Sequence, residues 1–262
     1  MIIKERQSEG GHWYDREGNP AYSVIGKNGN LRPTTLRDAR TNNLCPSVTT
    51  IIGVAAKPGL DTWKQQQVLL SALTLPRQEG EPEQSWLERV MMDSKQTGRV
   101  AAERGTAIHA TIQAFFEGAL IPEAMPMCRP VEEAIKTHFG ELLLLPELSF
   151  AHPLGYGGKA DLIAKARHPF DGVVIDIKTK ETEDISKADI YSEHKMQLAA
   201  YRRGFNMLKA RCANVFVGYK MVNGLTQFTG VKVVEHDTDD IDTHWLMFTK
   251  LLEFWQLKNN HM

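Results

Sequence analysis

The chain reads as an α/β protein, a mixed β-sheet flanked by helices. Three observations predict it: three successive strand-like runs between Glu141 and Lys180, helix-period segments on either side of them, and a closing amphipathic helix. With 262 residues, 42% hydrophobic and 24% charged, there is enough apolar material for a sizeable core.

Residues 1–45 alternate Gly, Asn and aromatic positions, which predicts a β-rich extension with tight turns at Gly18-Asn19-Pro20 and Asn28-Gly29-Asn30. From 46 to 140 the pattern lengthens into a helical layer integrated with the core. Helices are predicted over Leu60–Leu73, around Trp86–Met92 and from about Val100 to Ala119, with the charged, proline-bearing loop PRQEGEPEQS after the first. Residues 141–262 supply the sheet core. LLLPELSFAHP, GKADLIAKA and GVVIDIKTK read as consecutive strands, with Arg167–Asp171 as the turn of a hairpin. A helix over Tyr191–Leu208 aligns His194, Gln197, Tyr201, Phe205 and Leu208; strands follow at Asn214–Lys220 and Gly230–Glu235. The last helix turns Ile241, Trp245, Phe248, Leu252 and Trp255 inward. One compact domain is expected.

The formal net charge is −1, so no global basic field draws the chain to nucleic acid, and any phosphate contact must be local. Cys45, Cys128 and Cys212 form no CxxC pair, which argues against a disulfide framework, a zinc knuckle or an iron–sulfur cluster and fits a reducing compartment. The polar N-terminus, with Glu5, Glu9 and Asp15, is unlike a signal or transit peptide, and no apolar run is long enough to span a bilayer. The expected location is cytoplasmic, with no membrane partner.

The stretch GGKADLIAKARHPFDGVVIDIKTK places two carboxylates and an ammonium in strands that otherwise read as core. Alternate strand residues share a face, so Asp176 and Lys178 point together while Val173, Ile175 and Ile177 point away. A hairpin brings Asp161 within reach of Asp176. Two such carboxylates repel unless a cation lies between them, and hard oxygen donors suit Mg²⁺ or Mn²⁺. A D-x-K triplet in a strand also occurs as a plain salt bridge.

The order of features carries more weight than the triplet. RGTAIH ends in His109, PELSF holds Glu147, GGKAD holds Asp161, DIK holds Asp176 and Lys178, and QLAAY holds Gln197 and Tyr201; PSVTTII and KPGLDTWK precede them. From about Pro46 to Leu208 this series resembles the PD-(D/E)xK nuclease superfamily. Within it, the chain is similar to the branch of the RecB nuclease domain, phage exonucleases and the mitochondrial genome maintenance exonuclease. It departs in having Ala160 where the superfamily name has Pro, and it lacks the four-cysteine cluster of some relatives.

The resemblance implies a restriction-endonuclease-like core with an added N-terminal helical layer, and a Mg²⁺- or Mn²⁺-dependent DNA exonuclease. Asp161, Asp176, Lys178, Gln197 and Tyr201 would be catalytic. His109, Asp161, Asp176 and the backbone carbonyl of Ile177 would hold the metal, with Glu147 either a ligand through water or a strand residue paired with a lysine. DNA contacts would come from Ser47, Thr49, Thr50, Arg104, Thr179 and Lys180. The partners implied are DNA ends or single strands and a phage single-strand annealing or replication protein, in a bacterial or phage-encoded setting.

Alternatives stand beside several of these roles. His109 also suits a core histidine; Ser47, Thr49 and Thr50 also suit a helix cap; Trp63 suits core packing as well as base stacking. The runs Arg32, Arg37, Arg40 and Arg202, Arg203, Lys209, Arg211 also suit solvated faces. As whole functions, a flap endonuclease, a catalytically silent DNA-end-binding module and a hydrolase of small phosphate esters are the rivals.

Overall fold

The structure, a computed structural model, describes residues 11–165 and 171–261. These divide into two units. One takes in the residues up to Val54 together with those from Ile112 onward, and the other is Ala55–Thr111.

The N-terminal segment supplies four short strands, β1 (Trp13–Tyr14), β2 (Ser23–Ile25), β3 (Leu31–Pro33) and β4 (Cys45–Pro46), and two short helices, α1 (Leu36–Thr41) and α2 (Val48–Ile52). β2 and β3 form a hairpin about the turn expected at Asn28-Gly29, and β1 pairs antiparallel with β4. α1 is an addition to the expected strands. Thr35 and Asp38 close a capping box at its start, satisfying two backbone donors that a helix terminus leaves open.

The helical unit contains α3 (Pro58–Thr74) and most of α4 (Glu83–Phe116). α3 matches the predicted helix. The two helices predicted within 86–119 are one continuous helix of 34 residues, because Gly98 and Gly105 weaken a helix without breaking it. The Trp63 ring packs beside Gly98, 3.4 Å from where a Cβ would stand, an ordinary van der Waals distance. The Trp86 indole closes the loop between the helices by donating to the Leu75 carbonyl at 2.7 Å.

Helix α5 (Met125–Phe139) was not evident from periodicity, since it contains Pro126 and Pro130; Pro126 sits in the first turn, where no helical bond is lost, whereas Pro130 lies inside the helix and forfeits one. The central sheet follows: β5 (Leu145–His152), β6 (Tyr156–Lys165), β7 (Gly172–Glu181), β8 (Arg211–Val222) and β9 (Leu225–His236), in spatial order β5-β6-β7-β8-β9. β7 and β8 run parallel and the other neighbours antiparallel, so the sheet is mixed, as expected. The parallel pair requires a crossover, which α6 (Ser192–Gly204) supplies. This helix stops short of the predicted Leu208, and β8 and β9 are longer than predicted. The turn expected at Arg167–Asp171 lies, except for Asp171, outside the described residues.

α7 (Thr238–Asn259) closes the chain with Ile241, Phe248, Leu252 and Trp255 buried, as its apolar spacing predicts. Helices α2, α6 and α7 share one core with Phe150, Tyr156, Ile163, Val174 and Cys212 of the sheet. Ile163, Leu198 and Phe248 are fully buried, and each such side chain stabilises the fold by roughly 1.5–3 kcal/mol. Among the described residues no helix is long and apolar enough to cross a membrane.

Candidate active site

The β6–β7 ladder runs from Lys165↔Gly172 to Leu162↔Ile175 and then opens. The next pair in register is Asp161 and Asp176. In place of ladder bonding, the Asp161 carboxylate reaches across and accepts the backbone N–H of Ile177 at 2.6 Å. A strand fork therefore sets two acidic side chains against each other, as the alternation of the sequence anticipates.

Asp176 is 1% exposed. Lys178 Nζ donates to its Oδ1 at 3.0 Å and lies 2.8 Å from its Oδ2, while Asn214 Nδ2 donates to Oδ2 at 2.8 Å. The ammonium also donates to Gln197 Oε1 at 2.9 Å, and Gln197 Nε2 donates to the Tyr201 hydroxyl at 2.8 Å. Gln197 and Tyr201 are one turn apart on α6, which brings them together over the sheet. Asp161, Asp176, Lys178, Gln197 and Tyr201 thus form one connected group.

Burial, and then the neighbouring Asp176, push the Asp161 carboxyl up to about 8, against the pull of the Ile177 N–H and of Lys178; Glu147 adds to the rise. Burial also holds the Tyr201 hydroxyl well above its ordinary range, with Asp176 and Asp161 contributing. Tyr201 is therefore a neutral hydrogen-bonding group in this setting.

Glu147 falls opposite Asp161 in the β5–β6 register, but its backbone φ of 55° is left-handed and the ladder skips the pair. Its carboxylate forms an ion pair with Lys159, the lysine-paired alternative of the two expected for it. The Gly-rich run before Asp161 has a steric reason. A Cβ on Gly157 would meet Tyr14 at 2.7 Å, and one on Gly158 would meet Phe150 and Tyr201 at 2.9 Å.

Ser47 caps α2, accepting from Thr50 N at 3.0 Å, and its hydroxyl bonds those of Thr49 at 3.0 Å and Thr50 at 2.8 Å. Those hydroxyls serve the cap. Thr179 and Lys180 continue β7 beyond Lys178, with Lys180 Nζ 3.8 Å from Asp189. His109 and Arg104 belong to the helical unit. Several members of the basic runs are ion-paired: Arg32 with Asp38 and Arg211 with Glu235 at the exposed surface, as a solvated face allows, and the wholly buried Arg202 together with Arg203 on Asp242.

Sequence reasoning did not single out Asn214 or His236. The only signal for Asn214 was a polar residue beginning an otherwise apolar strand. Tyr14 was also missed, although it packs on Gly157 and its hydroxyl pairs with that of Tyr22 at 2.8 Å.

Among the described residues, no three His, Cys, Asp or Glu side chains are grouped so as to hold a metal ion. The donor set on the sheet is the carboxylate pair Asp161 and Asp176. That set fits Mg²⁺ or Mn²⁺, since Mg²⁺ keeps several waters and is often held by one or two carboxylates plus a substrate phosphate. It does not fit zinc in a closed structural site, which takes four protein ligands.

No protein-family model matches this sequence, and no curated protein matches it. Among solved structures, the chain is similar to an alkaline exonuclease from Laribacter hongkongensis at 17% identity, covering 76% of this chain and 97% of that one with a TM-score of 0.30. It is also similar to a candidate exonuclease from Eubacterium rectale at 10% identity, covering 60% and 68% with a TM-score of 0.37. Likenesses this distant carry no argument about the site, which stands on its own geometry.

Proposed function

We propose that this chain is a metal-dependent DNA nuclease, an exonuclease acting at DNA ends or on single strands. The observation that carries the reading is the fork at Asp161 and Asp176, with Lys178 on the same strand facing the same site. Asp161, Asp176 and the Ile177 carbonyl would hold Mg²⁺ or Mn²⁺. Bound there, the cation would supply Lewis-acid stabilisation of charge building on the phosphoryl oxygens.

The chain's own residues do the rest. Lys178 is a preorganised cation whose Nζ exchanges its bonds to Asp176 and Gln197 for the scissile phosphate, where it stabilises developing negative charge. Gln197 aims that ammonium and is itself aimed by Tyr201. Thr179 and Lys180, next along β7, would meet the adjoining backbone phosphate. The exonuclease mode and a setting in phage-type replication or recombination, beside a single-strand annealing or replication protein, rest on the resemblance of the PELSF, GGKAD, DIK and QLAAY segments.

End-labelled linear DNA and closed circular DNA, each incubated with and without Mg²⁺ or Mn²⁺, test the proposal. Progressive loss of label from linear DNA only in the presence of metal is the expected result. Cleavage of circles would replace exonuclease with endonuclease. Binding without cleavage in either metal would overturn the catalytic reading in favour of a silent end-binding module.

A further inference from the structure

The reaction proposed above uses Asp176 but not the two polar side chains behind it. Asn214 is fully buried and His236 is 8% exposed, deep positions for groups that a strand core does not require. Asn214 is the register partner of Asp176 across the parallel β7–β8 ladder. Its Nδ2 donates to Asp176 Oδ2 at 2.8 Å, and its Oδ1 lies 2.8 Å from His236 Nε2, which comes from β9.

These bonds can run in only one direction. An ionised carboxylate accepts and never donates, so Asn214 must present its amide NH₂ to Asp176. The carbonyl of Asn214 then faces His236, which must donate from Nε2. That selects one tautomer of the neutral ring, and burial, with Lys195 next, keeps the ring neutral by pushing it down to about 4. A flipped Asn214 would put a carbonyl dipole against the carboxylate in a low-dielectric interior, where unpaired polar groups are most costly. The chain His236 to Asn214 to Asp176 therefore specifies how the carboxylate is turned, with the Lys178 ammonium lying across both of its oxygens.

We propose that Asn214, itself oriented by His236, is a positioning residue that holds the Asp176 carboxylate in the orientation needed to bind the divalent cation. This rests on the nuclease reading and deepens it. In metal sites, partners that fix a ligand's orientation are typically worth 10- to 100-fold in affinity or activity.

The test is Mn²⁺ titration calorimetry on the full chain without DNA, alongside steady-state cleavage and thermal melts. The variants are Asn214→Leu, His236→Phe, His236→Gln and, as control, Asp176→Asn. Asn214→Leu should bind Mn²⁺ about 10- to 100-fold more weakly and lower kcat, with KM for DNA unchanged. His236→Phe should weaken Mn²⁺ binding in the same direction, whereas His236→Gln, which restores a donor to Asn214 Oδ1, should bind like the wild type. A folded Asn214→Leu protein with wild-type Mn²⁺ affinity overturns the proposal. If that variant does not fold, equal affinities for His236→Phe and His236→Gln overturn it instead. Wild-type protein that takes up no Mn²⁺ overturns the nuclease reading and this proposal with it. Loss of binding in Asp176→Asn but not in Asn214→Leu overturns only this one.

Discussion

The ammonium of Lys178 donates to the side-chain carbonyl of Gln197 at 2.9 Å, joining a strand of the sheet to the helix above it. Without that partner the lysine would have Asp176 as its anchor and a long, freely rotating stem. Lys178→Ala should lower single-turnover DNA cleavage by ~10²-fold or more, the usual cost of losing a preorganised electrostatic contact. DNA affinity should change little, because contacts that position a nucleic acid lie along its phosphate backbone. Lys178→Arg should not restore the rate, since a forked guanidinium does not replace a point charge. Gln197→Leu should give a milder loss of the same kind. An alanine variant that cleaves at the wild-type rate would reduce the D-x-K triplet to a structural ion pair.

Asp161 faces Asp176 across the fork, and its carboxyl is pushed upward by burial and by that neighbour. Asp161→Asn keeps an oxygen to accept the Ile177 N–H while removing the repulsion. The metal-free variant should therefore melt no lower than wild type, yet show weakened Mn²⁺ binding and no cleavage. A variant that melts well below wild type would show that the carboxylate is needed for folding.

The fork was legible because its signals are local. Alternation places Asp176 and Lys178 on one face, and the Pro- and Gly-bounded runs around Glu147, Asp161 and Asp176 mark adjacent strands. Gln197 and Tyr201 were legible for the same reason, as neighbours one turn apart on a helix. Asn214 and His236 were not, because their partners are set by the parallel β7–β8 register and by the β8–β9 pairing, and no local pattern encodes either. Helix α5 was hidden by its two prolines, and the continuity of α4 by its glycines. In α1 the signal was present: Thr35 and Asp38 have capping-box spacing, but the helix is too short to show a period.

Gly158 connects the Gly-rich run to the site. A Cβ there would meet Phe150 and Tyr201 ring carbons at 2.9 Å, within an aromatic cluster that includes Tyr156 and Phe205. Relief requires Tyr201 to move, and Gln197 loses its aim with it. Gly158→Ala should therefore destabilise the protein by about 1–3 kcal/mol in denaturant unfolding and lower kcat more than Tyr201→Phe does. A Gly158→Ala protein with unchanged stability would show that the rings have room to yield.

His236 links stability to pH, and the sign follows from its burial. Its folded-state value is pushed down to about 4, by burial first and by Lys195 next, while an unfolded histidine titrates near 6.5. Between those two values the unfolded chain binds more protons than the folded one, so stability rises with pH across that window. The contribution is fully present above the unfolded value and is lost as pH falls toward 4. His152 and His261 are also lowered by burial and give a slope of the same sign. His236→Gln should therefore reduce the drop in melting temperature between pH 7.5 and pH 4.5 without abolishing it. Protonation of His236 would bring a second positive charge toward Lys195 and place a doubly donating ring behind Asn214, so its share of the wild-type drop should be steepest midway between the two values and flatten as pH approaches 4. Melting curves for the two proteins across this range decide the matter, and identical pH profiles would mean that the imidazole titrates in the fold as it does in the unfolded chain, contrary to the downward push of its burial.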